Sequence, residues 1–364
     1  MMQRNLGNHF VIGFEGTTVS PSLRALLTRI QPAGVILFQR NIVSAQQTWD
    51  LLRDCQRCVA TPLFKCVDME GGTVDRLREV FGPSPSAASV FASDDSKLFQ
   101  LHGKMIGSIC RAAGFNVDFA PTLDLALPPS LPVMASRVVS PDAAEVARYA
   151  RQFLRGLLGA RILGCGKHFP GLGEVDLDTH KDLPVVAKSL RRLLAEDAAA
   201  YQALRRVLPF VMVCHAIYSA VAPDRLPASL SKKWMTDILR KKLGFTGLTI
   251  TDDMEMGALQ KAAPMREAAV QALRGGADLL LICHTEDQIA EAYEAVTRAV
   301  DRDLRLAAKV RESSARVTKH KKKFAKLLAP SARPSTDKVE KLSRALWEFG
   351  ERVRLGALAR ESTL

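Results

Sequence analysis

The sequence predicts an α/β protein built as a (β/α)8 TIM barrel, and three observations carry that expectation. Eight short apolar or β-branched runs recur along 364 residues with helical patterns between them, the mark of repeated βα units and a parallel sheet. Eight strands close such a barrel, and the last run ends within the roughly 250–300 residues the architecture requires. Polar residues gather at the carboxyl ends of the runs, the face where a barrel keeps its chemistry. A doubly wound open sheet competes, but no run passes through a GxGxxG turn into a helix.

In chain order the runs are FVIGF (10–14), GVILF (34–38), FKCVD (64–68), FNVDFA (115–120), ILGCGKHF (162–169), FVMVCH (210–215), LTITDD (248–253) and DLLLIC (278–283). The third closes on Asp68, before a Glu-Gly-Gly turn that lets the backbone approach a ligand closely. A carboxylate there can accept hydrogen bonds from two adjacent hydroxyls, with Arg76 and Arg137 adding donors from neighbouring loops. The fifth closes on Lys167 and His168 and opens KHFPGLGEVDLDTHKDLP (167–184), a stretch without helical period. Within it Asp178 stands two residues before His180, close enough to orient the ring and raise its proton affinity. Such a pair can give a proton to a leaving oxygen and later take one from water.

The sixth run closes on His215 and the seventh on Asp252 and Asp253. Asp252 is read as completing the strand's alternation from Thr249 and Thr251, and Asp253 as opening the loop. An ionised carboxylate at that place can form a covalent intermediate. Each residue also has a structural alternative. A strand-end aspartate can cap a helix, His215 can be a core histidine bonded to a backbone carbonyl, and Lys167 can pair with a carboxylate or serve as a Schiff-base lysine. Joint placement at one barrel face favours a site.

The barrel is expected to occupy residues 1–328, followed by a Pro/Ser-rich linker, APSARPSTD (329–337), and an amphipathic helical extension (338–364). Leu342, Leu346, Phe349 and Val353 recur there at spacings of three or four, giving one apolar face for the barrel or a second subunit. A membrane surface is the alternative its arginines allow.

Composition narrows the function classes. With 47% hydrophobic and 24% charged residues the chain is ordinarily globular. The absence of a secretory leader pattern and of an uninterrupted apolar run of membrane-spanning length predicts a cytoplasmic protein with no integral membrane segment. Seven cysteines, several in apolar runs, suit buried reduced thiols. The lone Cys55–Cys58 CxxC and scattered histidines predict no metal and no cofactor. The formal charge of +13 draws on KHKKKFAK (319–326) and the arginines beyond it, read as a solvated basic surface that attracts an acidic substrate. Aromatic residues at 6% are too few for base-stacking platforms, so no nucleic-acid partner is expected. Nothing in the chain fixes an oligomeric state.

Five blocks carry a resemblance: GVILFQRN (34–41), VDMEGG (67–72) with Arg76, NVDFAPTLD (116–124), KHFPG through DTHKDLP (167–184) and PASLSKKWMTDILRKKLGFTGLTITDDMEMGAL (227–259). In this order they resemble the β-N-acetylhexosaminidases of glycoside hydrolase family 3, including those that act on cell-wall muropeptides, over roughly residues 10–300. The resemblance implies a retaining glycosidase with Asp252 as nucleophile, His180 as proton donor and acceptor, and Asp178 orienting it. It places Asp68, Arg76, Arg137, Lys167 and His168 on the sugar. The implied partner is a small carbohydrate, an N-acetylglucosaminyl muropeptide or a chitooligosaccharide. A phosphorylase and a non-catalytic muropeptide-binding barrel are the competing readings. Three positions depart from the family pattern: Leu172 where PGHG is usual, Met69 where glutamine is common, and Thr73 where arginine is frequent. An apolar Leu172 cannot make a histidine's hydrogen bonds, so altered loop dynamics and rate are expected.

Overall fold

The computed structural model describes residues 6–175, 183–222 and 225–361. All eight predicted runs become parallel strands: β1 (Phe10–Ile12), β2 (Gly34–Ile36), β3 (Phe64–Val67), β4 (Val117–Asp118), β5 (Leu163–Phe169), β6 (Phe210–Val213), β7 (Leu248–Asp253) and β8 (Leu279–Ile282). Each pairs with its sequence neighbours, and β1 closes the barrel on β8 with Phe10 opposite Leu280 and Ile12 opposite Ile282. The runs read as nearly continuous apolar sequence because both faces of a barrel strand are buried.

Alternation divides those two faces. Val11, Ile36, Phe64, Cys66, Val117, Leu163, Cys165, Phe210, Met212, Leu248, Ile250, Leu279 and Leu281 fill the interior. Their neighbours Phe10, Ile12, Val35, Val67, Val211 and Val213 pack outward against the helices. The inward stripe turns polar at the carboxyl end: Phe64 and Cys66 lead to Asp68, Leu163 and Cys165 to Lys167, and Leu248 and Ile250 to Asp252. The alternation that reaches Asp252 therefore runs from Leu248 and Ile250, not from the threonines. Thr249 and Thr251 face the other way, and Thr251 Oγ1 accepts the Leu281 N–H at 3.0 Å.

The amino-terminal end is sealed by the helix Leu304–Lys323 and the residues after it. His320 meets Phe210 at 5.0 Å between ring centroids, and Val317 and Leu328 join the interior cluster. Here the solvated reading of KHKKKFAK needs correction. His320 and Lys321 are buried, while Lys319, Lys322 and Lys323 stay exposed. A helical period sends two of these residues inward however charged the run looks in one dimension. Burial pushes Lys321 down to about 7 and His320 down to about 4, so the floor resists holding charge.

The last helix, Thr336–Glu361, lies on the barrel's helical shell. Leu342, Leu346, Phe349 and Val353 are buried, and Phe349 stacks on His102 of the helix Ser96–Ala112 at 5.7 Å. His102 in turn holds the Tyr149 hydroxyl at 2.8 Å. All seven cysteines are free thiols. Among the described residues no helix is long and apolar enough to cross a membrane.

Candidate active site

A cavity of about 380 Å³ opens at the carboxyl ends of the strands, and Asp68, Arg76, Arg137, Lys167, His168 and Asp252 all line it. The structure thus brings together six of the eight residues singled out from the sequence. Asp178 and His180 lie outside the described residues.

One wall is an ion network that the sequence only half disclosed. Lys167 Nζ sits 2.6 Å from Asp68 Oδ1 and 2.6 Å from Glu70 Oε1. Arg137 grips the same Glu70 with two bonds, Nε to Oε2 and Nη2 to Oε1, each 2.8 Å, and the Thr122 hydroxyl donates to Oε2 at 3.0 Å. Burial alone would raise the Glu70 carboxyl, but Arg137 and Lys167 outweigh it and hold the group far below the carboxylate range. Against the same desolvation, the carboxylates push both cations above their ordinary values. Glu70, Arg137 and Lys167 are therefore charged, and bidentate geometry fixes the guanidinium plane.

Glu70 reaches this place through a tight hairpin, Met69–Gly71 against Val74–Asp75. Gly71 has φ +81° and Gly72 φ +63°, and a Cβ on Gly71 would lie 2.1 Å from the Pro85 carbonyl oxygen, so only glycine fits. The Glu-Gly-Gly turn read from the sequence is real. What the sequence did not disclose is that its glutamate is the hub joining Lys167 to Arg137.

Beside Lys167 on β5, His168 Nδ1 lies 2.7 Å from Asp124 Oδ2. With Nδ1–H donating there, the ring turns Nε2 to the cavity, 3.5 Å from Arg137 Nη2. Asp124 also accepts the Leu172 N–H at 2.8 Å through Oδ1, so one buried carboxylate orients the imidazole and anchors the start of the following loop. Leu172 makes that bond with its backbone, and its apolar side chain lines the cavity. The other two departures are accommodated likewise: Met69 is core, its N–H donating to Asp118, and the Thr73 hydroxyl bonds Ser136 at 2.7 Å.

Asp252, at the end of β7, lines the same cavity. Burial acts to raise its carboxyl, yet the imidazoles of His168 and His215, the Asp253 backbone N–H and Lys167 together hold it below the ordinary value. It is an ionised carboxylate facing a cluster of donors. His215 matches its structural alternative: Nε2 lies 2.9 Å from the Asp253 carbonyl oxygen and Nδ1 lies 2.6 Å from Ser229 Oγ. Burial pushes its proton affinity down, so the neutral ring donates from Nε2 and accepts at Nδ1. Lys167, tied to two carboxylates and held charged, lacks the free amine that Schiff-base chemistry needs. Among the described residues no group of three or more His, Cys, Asp or Glu side chains is placed to hold a metal ion.

A bond between two sugars breaks when a carboxylate stands under the anomeric carbon and polar groups clamp the ring hydroxyls, and the groups lining this cavity are of those kinds. Residues 8–320 match the glycosyl hydrolase family 3 N-terminal domain. A β-hexosaminidase of Stenotrophomonas maltophilia is 35% identical over 293 residues, covering 79% of this chain and 86% of its own. Among solved structures, a glycoside hydrolase family 3 β-N-acetylglucosaminidase from Paenibacillus sp. superposes with a TM-score of 0.88 at 32% identity, over 96% of this chain and 68% of that one. A β-N-acetylhexosaminidase from Beutenbergia cavernae gives a TM-score of 0.81 at 27% identity, over 88% and 98%. The chain belongs to glycosyl hydrolase family 3.

Proposed function

We propose that this enzyme is a retaining β-N-acetylhexosaminidase that removes terminal β-linked N-acetylglucosamine, with Asp252 as nucleophile. The observation that carries the reading is the ionised Asp252 carboxylate lining the same cavity as the Asp68–Lys167–Glu70–Arg137 network. The names borne by its relatives support the choice of sugar.

In this reading Asp68, Arg76, Arg137, Lys167 and His168 hold the sugar's hydroxyls and acetamido group. Asp252 attacks C1 as the C1–oxygen bond to the leaving group breaks, and that oxygen takes a proton from His180. Water then attacks C1, gives its proton to neutral His180 and releases Asp252, so two inversions restore the β configuration. Asp178 stabilises the imidazolium and fixes its tautomer. The natural substrates are N-acetylglucosaminyl muropeptides turned over in the cytoplasm during peptidoglycan recycling.

The test pairs Asp252→Ala with His180→Ala on aryl N-acetyl-β-glucosaminides of graded leaving ability. Asp252→Ala abolishes turnover of all of them, whereas His180→Ala retains more rate as the leaving group improves, because it needs less protonation. Near-parental rates in both variants overturn the assignment, and sugar 1-phosphate formed in phosphate buffer would make the enzyme a phosphorylase instead.

A further inference from the structure

A second imidazole–carboxylate pair faces the cavity, and the mechanism above gives it no task. His284 follows β8, and its Nε2 lies 3.2 Å from Asp253 Oδ2. Its ring lies flat against Phe38, with centroids 5.7 Å apart and planes 19° apart, so the imidazole has one favoured orientation. Phe38 is itself flanked by the guanidinium groups of Arg40 at 4.7 Å and Arg76 at 5.8 Å.

Asp253 is the residue through which β7 aims the nucleophile. Its backbone N–H donates to Asp252 Oδ1 at 2.9 Å, and its carbonyl accepts from His215. The β7–β8 ladder is irregular between Ile250 and Asp253, so regular sheet bonds do not fix this corner. Side chains take over that task. Asp253 Oδ1 accepts the Glu255 N–H at 3.0 Å, and the Glu255 carboxylate accepts the N–H groups of His284 at 2.5 Å and Thr285 at 3.0 Å. The Asp253–His284 contact is the strut of this stitching that reaches the cavity.

We propose that His284 is a positioning residue for the nucleophile: protonated and stacked on Phe38, it holds the Asp253 carboxylate, and through it the backbone N–H that orients Asp252. The inference rests on the reading of Asp252 as the attacking group. Charge supports it. Asp252 and Asp253 are adjacent carboxylates, and an imidazolium on Asp253 neutralises the one that must stay an anchor. The groups facing the ring are Asp253 and Glu255, which favour its charged form, and Arg40, which opposes it, while Arg76 lies against the Phe38 ring. The hydrogen bond to Asp253 outweighs burial and raises the ring's proton affinity above its ordinary value of 6.5. The charged strut is therefore in place at lower pH and weakens to a neutral hydrogen bond as pH rises through that elevated value.

The test uses a dinitrophenyl N-acetyl-β-glucosaminide, whose leaving group needs no proton, so that an alkaline limb in kcat/KM cannot come from the acid on the loop. The parent enzyme keeps such a limb. His284→Gln loses it, with kcat/KM down about 10- to 100-fold and the affinity for N-acetylglucosamine itself unchanged. Asp253→Asn, which keeps the backbone bonds, loses the limb as well and decides the matter should His284→Gln fail to fold. Parental kcat/KM with the limb intact in the variants overturns the proposal, as does a loss confined to N-acetylglucosamine affinity, which would make His284 a substrate contact. Mass gain from a fluorinated trapping sugar separates the two levels. No adduct on the parent enzyme sinks the nucleophile reading, whereas an adduct that forms on His284→Gln at the parental rate sinks only the role of His284.

Discussion

Glu70 shows how one side chain can organise a wall of the site. It is 4% exposed and satisfies the buried Lys167 and the half-buried Arg137 at once. Replacing it by glutamine keeps the shape and removes the charge, leaving Lys167 with Asp68 alone and Arg137 without a carboxylate. Breaking one partner of a buried ion pair costs about 3–5 kcal/mol, and denaturant unfolding of Glu70→Gln at neutral pH should register a loss of that order. The pH dependence has a defined sign. The folded value of Glu70 lies far below its ordinary 4.5, so its stabilisation is present above 4.5 and is lost as pH falls towards the folded value. The parent should lose stability on acidification below 4.5 more steeply than Glu70→Gln, and equal slopes would contradict the network. This residue also marks a limit of legibility. Asp68, Lys167 and Asp252 could be read because each extends an apolar alternation into a polar end. Glu70 keeps the parity of Asp68 but belongs to a hairpin beyond the strand, and Asp124 lies on a loop, and one dimension does not reveal how either folds back.

At the level of elements, the eight strands were legible because each is a short apolar run between helical periods. The closing helix of the floor was legible as a helix but its inward face was not, since its lysines conceal which two positions turn inward. The carboxyl-terminal helix sits between these cases: its apolar period was plain, but its partner was not. In the structure Phe349 stacks on His102, whose Nε2 would stand 3.4 Å from a Cβ placed on Gly71. The helix thus backs the hairpin that presents Glu70. Phe349→Ala opens a cavity against a neutral histidine that burial holds down to about 3, and large-to-small aromatic changes of this kind cost about 3–5 kcal/mol. Thermal or denaturant unfolding of Phe349→Ala should show that loss. A change within measurement error would mean that the helix rests on the shell without supporting it.

For the whole molecule, the formal charge of +13 is a property of surface and partner, not of fold. Much of it lies in exposed lysines and arginines around the barrel's base and last helix, such as Lys319, Lys322, Lys323 and Arg352. The cavity itself is nearly balanced, because Asp68 and Glu70 answer Lys167 and Arg137, and Asp253 answers His284. The long-range field therefore comes from the exterior and acts on a ligand before it enters. Such a field raises the encounter rate with an anion and is screened over about 8 Å at physiological ionic strength. A muropeptide with free carboxylates and a neutral aryl N-acetyl-β-glucosaminide should then part company as salt is added. The kcat/KM of the first should fall several-fold between low and physiological ionic strength, in the manner of steered association, while that of the second stays level. Because neutral-substrate turnover reports any effect of salt on the site, the ratio of the two isolates steering. A ratio independent of salt would show that the basic exterior plays no part in bringing an acidic substrate to this barrel.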